Sequence, residues 1–521
     1  MGEFTSLHQE SVLGVLSMFD RLIIKGHLLS FYPQGAFKRY LWRQGVKLVG
    51  FKSYVKTATA RLRENLERTA ADSGRPSIYL NSPMTHSSGQ SKEDLALGIA
   101  ERDGIDEGLV CILRVLETCR TFDIKKDERT GKLDAVSVPG KCLHYYLYYI
   151  DAEFGWMHVR IQTWFPFGIQ VYINGREWLS RYLDKAGISY ERYDNCFLRI
   201  ENVRRAQKIC DRLVKKSKMV RKLQGIASRL NPWLPTIRRC GFRGYYWVID
   251  QCEYSTDVMF RDRASLEAIF PDLVEHSTLH FSAEDVMSFL GRKLHGNFLG
   301  EVTTDLKKRR QGFRVKHRMK GNSIKMYDKF SVLRVEATIN NPREFKVLKV
   351  KQTEDGSKRR WVPMAKRVAN LWRYADVSMN ANKRYLKALA LVEAKDKVVK
   401  ELDDLCRGRI VDGRRCAKFN PVARRDADVF KAVMSGDHVI NGLRNRNLAQ
   451  RLFPGKGLTL QEKRRRCARV SRLIAKLRGH KLLSKVKDSH LYRVTDHGYR
   501  TMGAVLRFRG IEFPAAYKQA F

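Results

Sequence analysis

Long apolar runs are missing from this chain. No stretch of 18 or more apolar residues occurs, so no segment is expected to cross a membrane. The opening MGEFTSLHQESVLGVLSMF has no basic segment ahead of its short apolar patch, which is not the pattern of a secretory signal. Cysteine occurs ten times, but never as Cys-x-x-Cys and never near a His-x-x-x-His, and this spacing argues against a structural zinc site. Thiols scattered among core-like neighbours fit a reducing, cytoplasmic setting. No internal repeat or low-complexity tract is visible. Acidic residues are scarce: 55 Asp and Glu stand against 99 Lys and Arg, a formal charge of +44.

Positive charge is what the chain has in excess. A surface this cationic repels itself unless a polyanion neutralises it. Nucleic acid, DNA and/or RNA, is therefore the expected partner, because phosphate contacts release counterions and supply affinity without reading sequence. An anionic membrane fits less well, since the cations are spread through folded segments and not gathered on one amphipathic helix. The 521 residues allow two to four domains. The number of copies that assemble is left open.

Periodicity predicts an α+β chain in four regions. Residues 1–110 read as a helical N-terminal region. Residues 111–345 read as an α+β core with two antiparallel meanders, the first built from CLHYYLYYI, GWMHVRIQTW and FGIQVYIN. Residues 346–421 read as a helical connector. From 422 to 521 the order is helix, helix, longer helix, hairpin and helix, which is the order of a winged helix.

On the long helix of that last region, Arg465, Arg469, Arg472 and Lys476 are spaced four, three and four apart and share one face. Lys485 and Lys487 lie in the hairpin turn. After residue 440 there are 20 Lys and Arg against 4 Asp and Glu, or +16. This face is a candidate nucleic-acid contact, or else a solvated surface on a packing module.

The core carries the remaining candidates. Strand alternation over 313–339 places Phe313, Val315, Ile324, Met326, Leu333, Val335, Ala337 and Ile339 on a buried face. Arg314, Lys316, Arg318, Lys325, Tyr327, Lys329, Arg334, Glu336 and Thr338 fall on the other, expected to lie open to a phosphodiester backbone. Glu336 is either an ion-pair partner there or a metal ligand or general base. Tyr327 either stacks on a base or attacks phosphorus. In GWMHVRIQTW, Trp156, His158, Arg160, Gln162 and Trp164 share a face and form a stacking platform or an interdomain seam, with Arg160 and Trp164 as the nucleic-acid candidates. In YYWVIDQCEYSTDVMFRD, a helical turn after Asp250 would bring Asp250, Glu253 and Asp257 together as ligands for Mg2+ or Mn2+, with Glu253 and Asp257 also placed for catalysis. Internal counterions are the alternative.

The segments FDRLIIKG, KEDLALGIAERDGI, QTWFPFGIQVYINGREWL, TDVMFRD, KHRMKGNSIKMYDKFSVLRVEATIN and RNRNLAQRLF with LRGHKLLSKVKDSHLYRVT together resemble a family of bacterial proteins with a C-terminal winged helix and no assigned activity. The resemblance runs over nearly the whole chain and implies an architecture alone. Locally, Tyr327-Asp328-Lys329 followed by Leu333-Arg334-Val335-Glu336 resembles a strand pair of rolling-circle replication initiators. That implies a tyrosine attacking DNA and a metal held by a His-hydrophobic-His motif. The nearest match here, His158-Val159-Arg160, lacks the second histidine.

The expected function is a nucleic-acid-binding protein of a mobile or defence element, with metal-dependent cutting or nicking as its candidate chemistry. The alternatives are a non-catalytic ribonucleoprotein component holding a structured or guide RNA, and a winged-helix replication or transcription regulator.

Overall fold

Segments that alternate apolar and polar residues are drawn into a single sheet, each burying one side and hydrogen-bonding along both edges. A computed structural model describes residues 2–514 apart from 34, 82–90, 129, 217, 293–299, 310–311, 354–355, 391–402, 412, 437, 439–441, 455–458 and 487–488. Its strands are β1 (Val12–His27), β2 (Ser77–Leu80), β3 (Gly108–Lys126), β4 (Leu133–Asp151), β5 (Gly155–Gln162) and β6 (Ile169–Asn174). A small hairpin, β7 (Tyr190–Tyr193) and β8 (Cys196–Ile200), follows. The second half has β9 (Tyr246–Phe260), β10 (Val302–Arg309), β11 (Gly312–Met319), β12 (Asn322–Lys329) and β13 (Val332–Ile339).

Eleven of these strands form one mixed sheet in the order β10-β11-β12-β13-β9-β1-β6-β5-β4-β3-β2. The pairings are antiparallel except that β2 runs parallel to β3. The two meanders predicted from sequence are present, but joined through β1 and β9 into one sheet.

The order contains a repeat that the sequence does not display. In each half a long strand (β1 or β9) is followed by helices and then by a four-stranded meander. The last meander strand, β6 or β13, returns to pair with the first. The two halves meet along the antiparallel β1–β9 seam.

The prediction of a helical N-terminal region fails at β1. VLSMFDRLII is apolar at consecutive positions, with Leu16, Met18, Phe19, Leu22 and Ile24 all buried. A central strand covered on both faces loses the alternation that distinguishes it from a helix. Helices α1 (Phe51–Asp72) and α2 (Lys92–Arg102) are placed as expected in that region. Helix α3 (Gly175–Lys185) leaves directly from β6.

One face of the sheet is mainly apolar, with the buried His317, Thr256 and Ser17 as polar exceptions. Ile24, Val171, Val159 and Leu147 in one half and Val335, Ala337, Ile324 and Met326 in the other are buried beneath packed helices. Helix α4 (Leu371–Leu389) lies against β9 and β13 on that side. Among the described residues the predicted helical connector is helical mainly there, with a 3-10 turn at Val368–Asn370 before it and a short helical stretch at 403–405 after it. It begins with the hairpin β14 (Lys346–Thr353) and β15 (Gly356–Pro363), which cross-strand pairing holds extended.

The C-terminal region has its own core, including Phe430, Leu448, Val470, Ile474, Leu477, Leu483 and Met502. Its helices are α5 (Arg424–Val433), α6 (Asn445–Leu452), α7 (Leu460–Gly479) and α8 (Asp496–Arg507). A short hairpin, Leu483–Lys485 with Tyr492–Val494, separates α7 from α8, and Leu443 bridges to Tyr492 beside it.

Candidate functional site

The polar face of the sheet is built by register. Across β11, β12, β13, β9 and β1, Lys316 lies opposite Lys325, Lys325 opposite Glu336, and Glu336 opposite Ser255. Two residues along, Thr338 faces Glu253, and Glu253 faces Arg21. Side chains that are neighbours across a ladder project on the same side, so this row forms one surface.

Asp20 joins the row through a bulge. The β1–β9 register shifts between Phe19 and Arg21, leaving Asp20 as the extra residue. A bulge re-aims a side chain that strict alternation would send to the other face. Gly175 presses against this point: a Cβ there would sit 1.8 Å from the carbonyl oxygen of Phe19. Only a residue without a side chain lets α3 start so close to β1.

The result is a buried group of acids. One carboxylate oxygen each from Asp20, Glu253 and Glu336 lies within 4.8 Å of the others. Glu336 is 1% exposed and Glu253 5%, while the Asp20 side chain is 12% exposed. The Tyr327 hydroxyl donates to Glu336 Oε2 at 2.7 Å. Lys325 bridges Glu336 and Glu253, the latter at 3.2 Å. Arg21 reaches Glu253 at 2.9 Å and Arg334 reaches Asp20 at 2.9 Å. Asn195, at the turn of the β7–β8 hairpin, donates to Asp20 and accepts from Arg334.

Asp257 belongs to the wall of this site. Arg334 grips both of its oxygens at 2.7 and 2.8 Å, and Arg176 adds a contact at 2.8 Å. Taken together, the carboxylates Asp20, Glu253, Asp257 and Glu336 face the cations Arg21, Arg176, Lys325 and Arg334, a balanced set of charges.

Electrostatics differentiates the acids. Burial lifts the Glu336 carboxyl above the ordinary carboxylate range despite Lys325. Burial also opposes ionisation of Glu253, but Lys325 and Arg21 overcome it and hold that carboxyl below its usual value. Asp257 is likewise held low by Arg176 and Arg334 against the effect of burial. Burial and the Glu336 charge push the Tyr327 phenol well above 10, so it rests protonated beside an acceptor.

Several expected site residues fall elsewhere. Asp250 is not beside Glu253: β9 remains a strand, the seam shifts register there, and Asp250 pairs with Lys25 at 2.9 Å. Asp257 is saturated by two guanidiniums and is unavailable as a metal ligand. Asp20, absent from the predicted set, takes the place of both. The polar face is not the open cationic surface predicted, because Lys325, Arg334 and Glu336 are buried in mutual pairs. Arg318 is exposed but bound to Asp305 at 2.6 Å, whereas Arg314 and Lys316 are half-buried beside the site. Lys316 is held below the usual lysine range by burial and by Lys325, Arg318 and Arg314.

On the other half of the same face, Tyr172 stacks on His158 with ring centroids 4.9 Å apart and planes 5° from parallel. Arg160 pairs with Glu117 at 2.9 Å. Trp164 lies in the turn after β5, packed on the main core and donating to the Phe122 carbonyl, so it is not part of the platform. Because Arg21 and Glu253 are partners on the seam, their neighbours Asn174 and Thr338 are topologically equivalent. Counting from them, Glu336 corresponds to Tyr172, Lys325 to His158 and Tyr327 to Arg160.

On α7, Arg465, Arg469 and Arg472 are exposed on one face as predicted, with Arg469 over the Phe453 ring at 4.9 Å. Lys476 does not continue the row. Its ammonium sits 3.7 Å from the centre of the Phe419 ring and 3.7 Å from Asp426. Lys485 is exposed, and Lys487 lies outside the described residues.

Asp20, Glu253 and Glu336 make a hard, all-oxygen donor set of the kind that binds Mg2+ or Mn2+. Thr338, opposite Glu253 in register, has a buried hydroxyl with no hydrogen-bond partner. No family model, curated protein or solved structure matches the chain.

Proposed function

We propose that the protein cuts or nicks a nucleic-acid strand, with Tyr327 as nucleophile and Glu336 as its general base. The observation that carries this reading is the 2.7 Å hydrogen bond from the Tyr327 hydroxyl to a carboxylate that burial has made more basic than usual. A phenol well above its ordinary pKa is a poor nucleophile unless a positioned base takes its proton as the bond to phosphorus forms. In the step, the phenolic oxygen bonds to phosphorus, the proton passes to Glu336, and the displaced ester oxygen leaves with the cut strand.

Asp20, Glu253 and Glu336 would hold Mg2+ or Mn2+, which supplies Lewis-acid stabilisation of charge on the phosphoryl oxygens. Lys325, which pairs with Glu253 and Glu336, would then be released to contact the phosphate. Arg314 and Lys316, crowded by neighbouring cations, gain from the approach of a polyanion. The C-terminal order of helices and hairpin is that of a winged helix, and exposed Arg465, Arg469 and Arg472 on its long helix would hold duplex.

The test is incubation of the full chain with end-labelled single- and double-stranded DNA and RNA plus Mg2+ or Mn2+. The expected result is a shortened strand and a covalent protein–nucleic-acid adduct that survives denaturing electrophoresis. Tyr327→Phe should bind but form neither. Tight binding with no cutting under either cation would overturn the catalytic reading, and cutting without an adduct would remove the tyrosine from it.

A further inference from the structure

A second cluster of metal-ligating side chains lies at the opposite end of the sheet. β3 and β4 are far longer than their neighbours. β2 pairs with β3 through Val115 and β5 pairs with β4 from His144, so beyond those residues β3 and β4 continue as a two-stranded ribbon. Two-stranded ribbons are marginal without further support. At the base of this one, Val115 faces His144, Glu117 faces Cys142 and Cys119 faces Gly140. The alternation therefore sends Cys119, Cys142 and His144 to one side.

We propose that Cys119, Cys142 and His144 bind one thiophilic divalent cation of the zinc class, pinning the ribbon to the body of the sheet. Sequence spacing argues against a zinc site because the ligands are not clustered along the chain; antiparallel pairing brings them together. The two sulfurs are 3.3 Å apart, and one donor atom from each of the three residues lies within 4.8 Å of the others. Two sulfurs and an imidazole form a soft set suited to Zn2+, Co2+ or Cd2+ and not to Mg2+. With three protein ligands, a fourth position falls to water.

The surroundings suit the ligands. His144 Nδ1 lies 3.1 Å from the Cys142 carbonyl, the contact that fixes ring orientation in metal-bound histidines. Cys142 and His144 are buried while Cys119 is half-buried, which leaves a route in. The nearby Arg160 cation is neutralised by Glu117 at 2.9 Å.

The test is a Co2+ titration of the reduced full chain, followed by displacement with Zn2+. One equivalent of Co2+ should produce thiolate-to-cobalt absorption in the near ultraviolet and the strong visible bands of a tetrahedral site. Cys119→Ser and Cys142→Ser should each abolish the thiolate band. Replacing the exposed Cys406 and Cys467 by Ser should leave it intact. Glu336→Gln should also leave it intact, which separates this site from the carboxylate group at Tyr327. Three results would overturn the proposal: no thiolate band with the native chain, a band that persists in both Cys variants, or a Cys119–Cys142 disulfide that re-forms after reduction in place of metal uptake.

Discussion

Replacing Asp257 by Ala takes away the carboxylate that Arg176 and Arg334 share. All three side chains are at most 1% exposed. Removing one partner of a buried ion pair costs about 3–5 kcal/mol, because the charge left behind is neither hydrated nor paired. Here one carboxylate serves two guanidiniums, which argues for the upper end. Some contacts survive: Arg334 keeps Asp20 and the Asn195 carbonyl, and Arg176 keeps the Ser255 hydroxyl. We therefore expect a loss of about 4–5 kcal/mol, measured by urea unfolding at neutral pH. The Asp257 carboxyl is held below its ordinary value of 3.8, so its contribution is complete above that pH and disappears as pH falls through the lower, folded-state value. The stability gap between the native chain and Asp257→Asn should stay level from pH 7 to about 4 and close below it. A loss under about 1 kcal/mol, the range of solvated pairs, or a gap that widens on acidification, would refute the picture of a dry, interlocked network.

Other predictions follow from the same geometry. Gly175→Ala should destabilise the chain by about 3 kcal/mol or more through overpacking against the Phe19 carbonyl, while Gly98→Ala, in open space on helix α2, should stabilise it slightly; thermal unfolding of the two variants checks both. Changing Arg465, Arg469 and Arg472 together to Ala should make the salt dependence of nucleic-acid binding shallower by about three units of log–log slope, and an unchanged slope would take that face out of the interface. Glu336→Gln should abolish both cutting and the covalent adduct while nucleic-acid binding persists, because the amide cannot take the proton of the Tyr327 phenol; an adduct that still forms would remove Glu336 as the base.

Part of the candidate site is legible in the sequence alone. Period-two alternation sorts 313–339 largely correctly: Tyr327, Lys325 and Glu336 share a face, and the apolar set is buried except for Phe313, which lies exposed near the start of β11. It cannot reveal that the polar face is itself covered at its centre, since the β7–β8 hairpin arrives from more than a hundred residues away. Asp20 escapes notice because it sits inside an apolar run that reads as helix. Its signal is present nonetheless, as the acid–base pair Asp20-Arg21 interrupting a stretch that is otherwise buried. Asp250 does not join Glu253 because the helical turn expected after it does not form: residues 246–260 stay extended as β9. The C-terminal elements are the most legible, because each helix there has one apolar face and its own caps, such as Thr459 with Glu462 on α7.

The twofold plan of the sheet has a further consequence. Apart from β2, every strand in it has a counterpart, so reactive groups need be kept in one copy while the matching places in the other can carry different side chains. Glu336, Lys325 and Tyr327 occupy one set of places, and Tyr172, His158 and Arg160 the matching set. Under the proposed activity, changes in the ring-bearing copy would alter how a strand is gripped and leave untouched the chemistry done on it.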